Sequence, residues 1–171
     1  MVVEAAIVIP LMVSLCAGVL QFGLRLQQGL LVSNAARQGA RTGAQQGDNL
    51  QADQRIIEAV RGASGSLSGK ILTIVIYKAD AAGAMSPTCR AMAGQGGFDG
   101  EDASCNIYRA DNGFAIPDTP WIPLTRSNDL EESRDDLGVW VQVAFDSPVG
   151  DLFDLGSTIS DYAVFQIEPR V

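Results

Sequence analysis

The sequence predicts an α+β fold, with a long N-terminal α-helix packed on a small antiparallel β-sheet of about three strands. Two observations carry that expectation. Ala5 to Leu24 form an unbroken run of twenty residues without a charge, and the helical pattern continues beyond Arg25 to about Gln46. Later in the chain, Ile71 to Tyr77 is β-branched on both faces, and two further stretches alternate apolar residues with a period of two.

Twenty helical residues rise about 30 Å, the hydrocarbon thickness of a bilayer. The chain therefore divides into a long helix at 1–47, with 1–24 as its membrane-embedded half, and a compact part at 48–171. A cleaved secretory signal would need a basic n-region, which Met1-Val2-Val3-Glu4 does not supply. A lipoprotein signal would need a small residue before the modified cysteine, but Leu15 precedes Cys16. A retained transmembrane helix fits best. Arg25, Arg37 and Arg41 follow the apolar run, on the side that the positive-inside tendency would place in the cytoplasm. A basic leader ahead of Met1 would resolve that conflict. Pro10 has no N–H for the carbonyl of Ala6, so the helix can bend or locally unwind there.

The second half of the helix carries two rows of small residues at intervals of four: Ala35, Gly39, Gly43 and Gly47, and beside them Ala36, Ala40 and Ala44. Such rows let another backbone approach closely. That neighbour is either the chain's own sheet, the favoured reading, or another subunit. Arg37 and Arg41, one turn apart, form a solvated or salt-bridged stripe or pair with an acidic neighbouring domain.

The remaining elements follow in order. Gly47 ends the helix, and Asp48 is placed to cap a second one with Gln51 three residues on. That helix runs to about Arg61 on the apolar face of Ile56, Ile57 and Val60, and Gly62 stops it. Gly62 to Gly69 reads as a Ser/Gly turn. Strands follow at Ile71–Tyr77, Val139–Phe145 and Tyr162–Ile167, the last two joined through Pro148 and Gly150 as antiparallel neighbours. Between them, 79–137 reads as a long outward loop, with a short helix over Asn128 to Leu137 capped at Ser127 or Asn128.

Charge and chemistry narrow the function. The net charge is −8, and 1–47 holds one carboxylate against three arginines, so the remainder carries −10. An acidic domain repels phosphates, which argues against nucleic acid as a partner. Histidine is absent, so the commonest general base is missing. Ser64, Ser66 and Ser68 form no nucleophile elbow, and the glycines form no phosphate loop. No catalytic residue, cofactor or metal is expected, and the protein is read as a non-enzyme. Asp99, Glu101 and Asp102, with Asp111 and Asn112, could offer oxygens to calcium but lack EF-hand spacing; a solvated acidic loop is the favoured reading. Cys16 sits in the apolar run as a small hydrophobe. Cys89 and Cys105 lie in a polar stretch and read as a disulfide in an oxidising compartment, the alternative being two free thiols.

The segment Glu4-Ala5-Ala6-Ile7-Val8-Ile9-Pro10, then Gln21-Phe22-Gly23, then Asn34-Ala35-Ala36-Arg37-Gln38-Gly39-Ala40-Arg41 resembles the N-terminal region of TadE-like pilins. These are small pilin-like proteins of the tight-adherence type IV pili. Val139 to Val171 has the family's look as well. Ala5 stands where the family usually has an aromatic, and Glu4 is one position earlier than the glutamate of mature pilins. The resemblance implies a minor or accessory pilin that contributes to pilus assembly and surface adhesion. It further implies that Glu4 pairs with the α-amine of a neighbouring subunit and that Pro10 eases the passage from bilayer to fibre. The implied partners are other pilin subunits through the N-terminal helix, the cytoplasmic membrane before assembly, and a prepilin peptidase. The implied location is a membrane-anchored, exported precursor that ends at the cell surface. The alternative is a single-pass membrane protein displaying an extracellular binding domain.

Overall fold

A computed structural model describes residues 2–94, 104–111, 113–114, 121–128, 134–146 and 156–169 of the 171. Helix α1, Val2–Gln46, runs for 45 residues and continues through Pro10. It stops because Gly47 adopts a left-handed φ of 55° and its N–H donates to the carbonyl of Gly43 at 3.2 Å. The N–H of Glu168, just past the last strand, donates to the carbonyl of Ala44 at 2.9 Å. The far end of the chain thereby satisfies part of the open end of its first helix.

Helix α2, Ala52–Ala63, begins later than Asp48 and has no side-chain cap. Asn49 turns the chain instead, its Oδ1 accepting from the Gln51 N–H at 2.9 Å and its carbonyl from the Ala52 N–H at 2.8 Å. Gly62 does not stop this helix, since its φ stays helical; the left-handed glycine is Gly65, with φ 55°. A 3₁₀ helix, Gly65–Lys70, follows where the sequence suggested a plain turn.

Four strands, rather than about three, form one antiparallel sheet: β1 (Ile71–Lys78), β2 (Cys105–Arg109), β3 (Asp136–Ala144) and β4 (Thr158–Gln166), in the order β2-β1-β3-β4. Each neighbouring pair is antiparallel, with Val75 opposite Ile107 and Trp140, and Trp140 opposite Tyr162. The stretch expected to be one long loop thus contributes an edge strand and also a short helix, α3 (Pro87–Gly94). Ser86 starts α3, its Oγ accepting from the Cys89 N–H at 3.1 Å. The short helix expected over 128–137 does not extend to Leu137. Residues 129–133 lie outside the described residues, and Asp136 and Leu137 already belong to β3.

Alternation along the strands produces two apolar layers. On one face Ile74, Ile76, Leu137, Val139, Val141 and Val143 meet α1 and α2 in the main core. On the other, Val75, Tyr77, Cys105 and Ile107 meet α3 in a smaller one. Only the second half of α1 enters the main core, where Val32, Ala35, Ala36 and Ala40 are fully buried.

The glycines of α1 are the closest points of that packing. A Cβ on Gly39 would fall 2.5 Å from Val60 Cγ2 and 3.3 Å from Val139 Cγ1. One on Gly43 would fall 2.8 Å from both Ile56 Cδ1 and Leu137 Cδ2. The difference is decisive, because Val60 is β-branched and stiff at χ1 whereas the atoms near Gly43 are the tips of longer side chains. Gly39→Ala is therefore expected to lower stability by about 1 kcal/mol or more, overpacking outweighing the ~1 kcal/mol gain in helix propensity. Gly43→Ala is expected to stay near wild type. Thermal unfolding of the two variants in detergent checks this, and a Gly39→Ala protein as stable as the parent would refute the ranking.

Candidate functional site

The first half of α1 meets almost none of the domain. Ala5–Gln46 contains a stretch with mean hydropathy 2.2 that is only 6% buried, long and apolar enough to cross a membrane. Ile7, Leu11, Val13, Leu15, Val19, Leu20 and Phe22 are all exposed. A helix that is apolar around its whole circumference and unburied in its own fold demands an apolar medium or apolar neighbours. Pro10 lies inside this half, and Ser14 Oγ donates to the carbonyl of Pro10 at 2.8 Å, a back-bond that bends helices. Glu4 lies in the first turns of α1, and its side chain lies outside the described part of the structure. Cys16 is exposed and unbonded on the same apolar surface.

Arg25 marks where the helix leaves the domain. Its Nη1 and Nη2 donate to the carbonyls of Gly156 and Thr158 at 3.1 and 3.3 Å, and its guanidinium stacks over Phe145 at 5.2 Å. The first charge after the apolar run therefore grips the start of β4, a task its position in the sequence does not disclose. Arg37 and Arg41 are exposed on the same helix, beyond this clamp. Ala35, Gly39 and Gly43 line the side of α1 that meets α2 and β3.

A second polar constellation was not singled out from the sequence. Asp53, on the apolar face of α2 one turn before Ile56 and Ile57, is buried. It accepts from Asn106 Nδ2 and Tyr108 Oη of β2, each at 2.7 Å, and from Arg126 Nη2. Arg126 is buried too, stacked at 4.4 Å on the ring of Trp121. The side-chain amide of Asn106 in turn binds both the carbonyl and the N–H of Trp121, at 2.8 and 3.2 Å. Burial, and then the Asp53 charge, pushes the Tyr108 phenol above its ordinary range, so it remains a neutral donor. This arrangement fastens α2, β2 and the 121–126 segment together with balanced charge. An acid on an otherwise apolar helix face is the one sequence signal that could have exposed it.

Cys89 and Cys105 form a disulfide, which ties α3 to the edge strand β2. Beneath α3, Tyr77 lies flat over Gly138 of β3, where an added Cβ would fall 2.1 Å from the ring. The Tyr77 hydroxyl donates to the carbonyl of Gly83 at 3.5 Å. Burial, then Tyr162, raises the Tyr77 phenol from 10.0 to about 12, with Arg90 pulling the other way and Asp80 adding to the rise. A pKa raised by folding means the neutral phenol stabilises the fold below pH 10 and that this contribution vanishes as the pH climbs to about 12. Stability should therefore fall across that interval, and Tyr108, raised by the same burial, adds to the fall. Denaturant titrations on either side of the interval check it; a stability that stays flat to its upper end would contradict the assignment.

Among the described residues no group of three or more Cys, Asp or Glu could hold a metal ion. Asp99, Glu101, Asp102 and Asn112, the remaining oxygen donors considered for calcium, lie outside the described residues, and Asp111 is exposed after β2. Residues 1–41, about a quarter of the chain, match the family model of TadE-like protein. No curated protein and no solved structure matches the chain.

Proposed function

We propose, from the TadE-like character of residues 1–41, that this protein is a pilin-like structural subunit of a tight-adherence type IV pilus. One observation carries the reading: the family match falls on a helix whose first half projects, apolar on every side, while its second half is built into the core of its own domain. A simple anchor needs only the first half. Here the domain is joined rigidly to the apolar segment through Arg25 and the Ala35–Gly39–Gly43 face, so that moving the helix moves the domain. Such a unit can be drawn from a bilayer and stacked with its apolar helix among those of other copies.

In this reading α1 sits in the cytoplasmic membrane before assembly and in the fibre afterwards, and the domain faces outward, where the Cys89–Cys105 disulfide is chemically at home. Glu4 pairs with the α-amine of a neighbouring subunit, a neutralisation that an apolar fibre core requires. Pro10 gives the helix local freedom during the transfer. A prepilin peptidase prepares the N-terminus. The role is structural, with no reaction assigned, and accessory to the bulk polymer, close to adhesion.

Intact mass and N-terminal sequencing of protein sheared from cells test this. The expected chain begins just ahead of Glu4 and retains the apolar helix. Protein that remains in the membrane fraction with its original start, or that has lost the helix, would overturn the pilin reading and leave a single-pass protein displaying an extracellular binding domain.

A further inference from the structure

The sheet face turned away from α1 carries an open cleft of about 460 Å³, a size suited to small ligands. Trp140 and Gln142 of β3 and Ser160 and Tyr162 of β4 line it on one side, and Arg90 of α3 on the other. We propose that this cleft binds a neutral carbohydrate, with a sugar ring stacked on Trp140 and Tyr162 and its hydroxyls held by Gln142, Ser160 and Arg90.

The aromatic residues come first. Trp140 is half-buried against the outer core, and Tyr162, its cross-strand neighbour, is 56% exposed. Side by side on a sheet face, these two residues give the cleft an aromatic floor. The C–H face of a pyranose is apolar with slightly positive hydrogens, and it complements the negative face of an aromatic ring. Each sugar hydroxyl both donates and accepts, and the cleft supplies a donor in Arg90 and groups of both kinds in Gln142 and Ser160.

Charge selects against the competing ligand classes. Arg90 puts one cation in the cleft, while the residues beyond 47 carry a strong net negative charge. An anionic polymer would be repelled by that field. Extended peptides commonly add to a sheet edge, whereas this cleft lies on the sheet face. The walls are also held in place before any ligand arrives. The Cys89–Cys105 disulfide and the bond from Arg109 Nη2 to the carbonyl of Met92, 2.7 Å, fix α3, and Tyr77 is wedged over Gly138. Preorganisation of this kind lowers the entropy cost of binding. Because the cleft faces away from α1, it stays open whether α1 lies in a bilayer or a fibre. The inference therefore goes beyond the pilin reading, and its failure would leave that reading intact.

The test uses the full chain in a zwitterionic, sugar-free detergent, titrated with cellohexaose, chitohexaose, maltohexaose or mannohexaose. The chain has two tryptophans, and Trp121 is 4% exposed, so a fluorescence change reports on Trp140. At least one hexasaccharide is expected to give a saturable blue shift. Tyr162→Ala and Gln142→Ala, both at solvent-facing positions, are each expected to weaken it roughly tenfold without moving the unfolding midpoint. Using two variants keeps the outcome readable if one of them misfolds. No shift with any of the hexasaccharides, a shift that both substitutions leave unchanged, or a response to a proline-rich peptide in place of the sugars would overturn the proposal.

Discussion

Asp53→Ala is expected to cost about 3–5 kcal/mol, a large share of the roughly 5–15 kcal/mol that holds a domain together. The reason lies in what it would leave behind. The Arg126 side chain is 0% exposed, and Asp53 is its only ion-pair partner among the described residues. Two of its nitrogens, Nε and Nη1, have no hydrogen-bond partner among the described residues even with Asp53 in place. Removing the carboxylate strands a buried cation and takes the acceptor from Asn106 and Tyr108 as well. Arg126→Met should also destabilise, by leaving Asp53 charged and buried. The double variant Asp53→Leu with Arg126→Met should lie closer to wild type than the two single losses combined, because an apolar pair replaces a costly ionic one. Denaturant unfolding of the three variants measures the coupling. A loss below about 1 kcal/mol for Asp53→Ala, or strict additivity, would show that the pair is effectively solvated.

Replacing Cys89 and Cys105 with serine is expected to cost about 3 kcal/mol, the loop-closure contribution of a crosslink across 16 residues. The loss should be local in origin. Helix α3 has eight residues, too short to persist unaided, and the tether to β2 holds it over Val75, Tyr77 and Ile107. Hydrogen exchange should therefore show residues 87–94 losing protection while the buried half of α1 keeps its own. A variant that unfolds at the parent's midpoint would mean that the apolar contacts of α3 suffice without the bond. The α3 wall of the proposed sugar cleft depends on the same tether, so binding and α3 protection should fail together.

How much of this was legible in the sequence depends on the range of the forces involved. Helix α1 declares itself through its uncharged run, and Gly47 through the left-handed turn that follows. Strands β1, β3 and β4 declare themselves by β-branched or alternating residues. β2 does not, because Cys105, Asn106, Ile107 and Tyr108 are all buried and polar groups occupy the main-core face. Asn106 and Tyr108 belong there only because Asp53, more than fifty residues away, needs their hydrogens. α3 carried a start signal in Ser86-Pro87 but was too short to show a helical period. At Asp48, a plausible cap lost to the neighbouring Asn49, a competition that local pattern does not rank.

By itself, the sequence determined the quantities set by near neighbours: the length and greasiness of α1, the strand periods, the uneven charge, and the absence of histidine. The tertiary structure decided what meets what. It placed Gly39 and Gly43 against Val60 and Leu137, turned Arg25 from a flanking charge into a clamp on β4, and set Trp140 beside Tyr162 at the floor of a cleft. Periodicity says which side of an element is apolar. Which partner that side finds is settled by the burial of the whole chain at once.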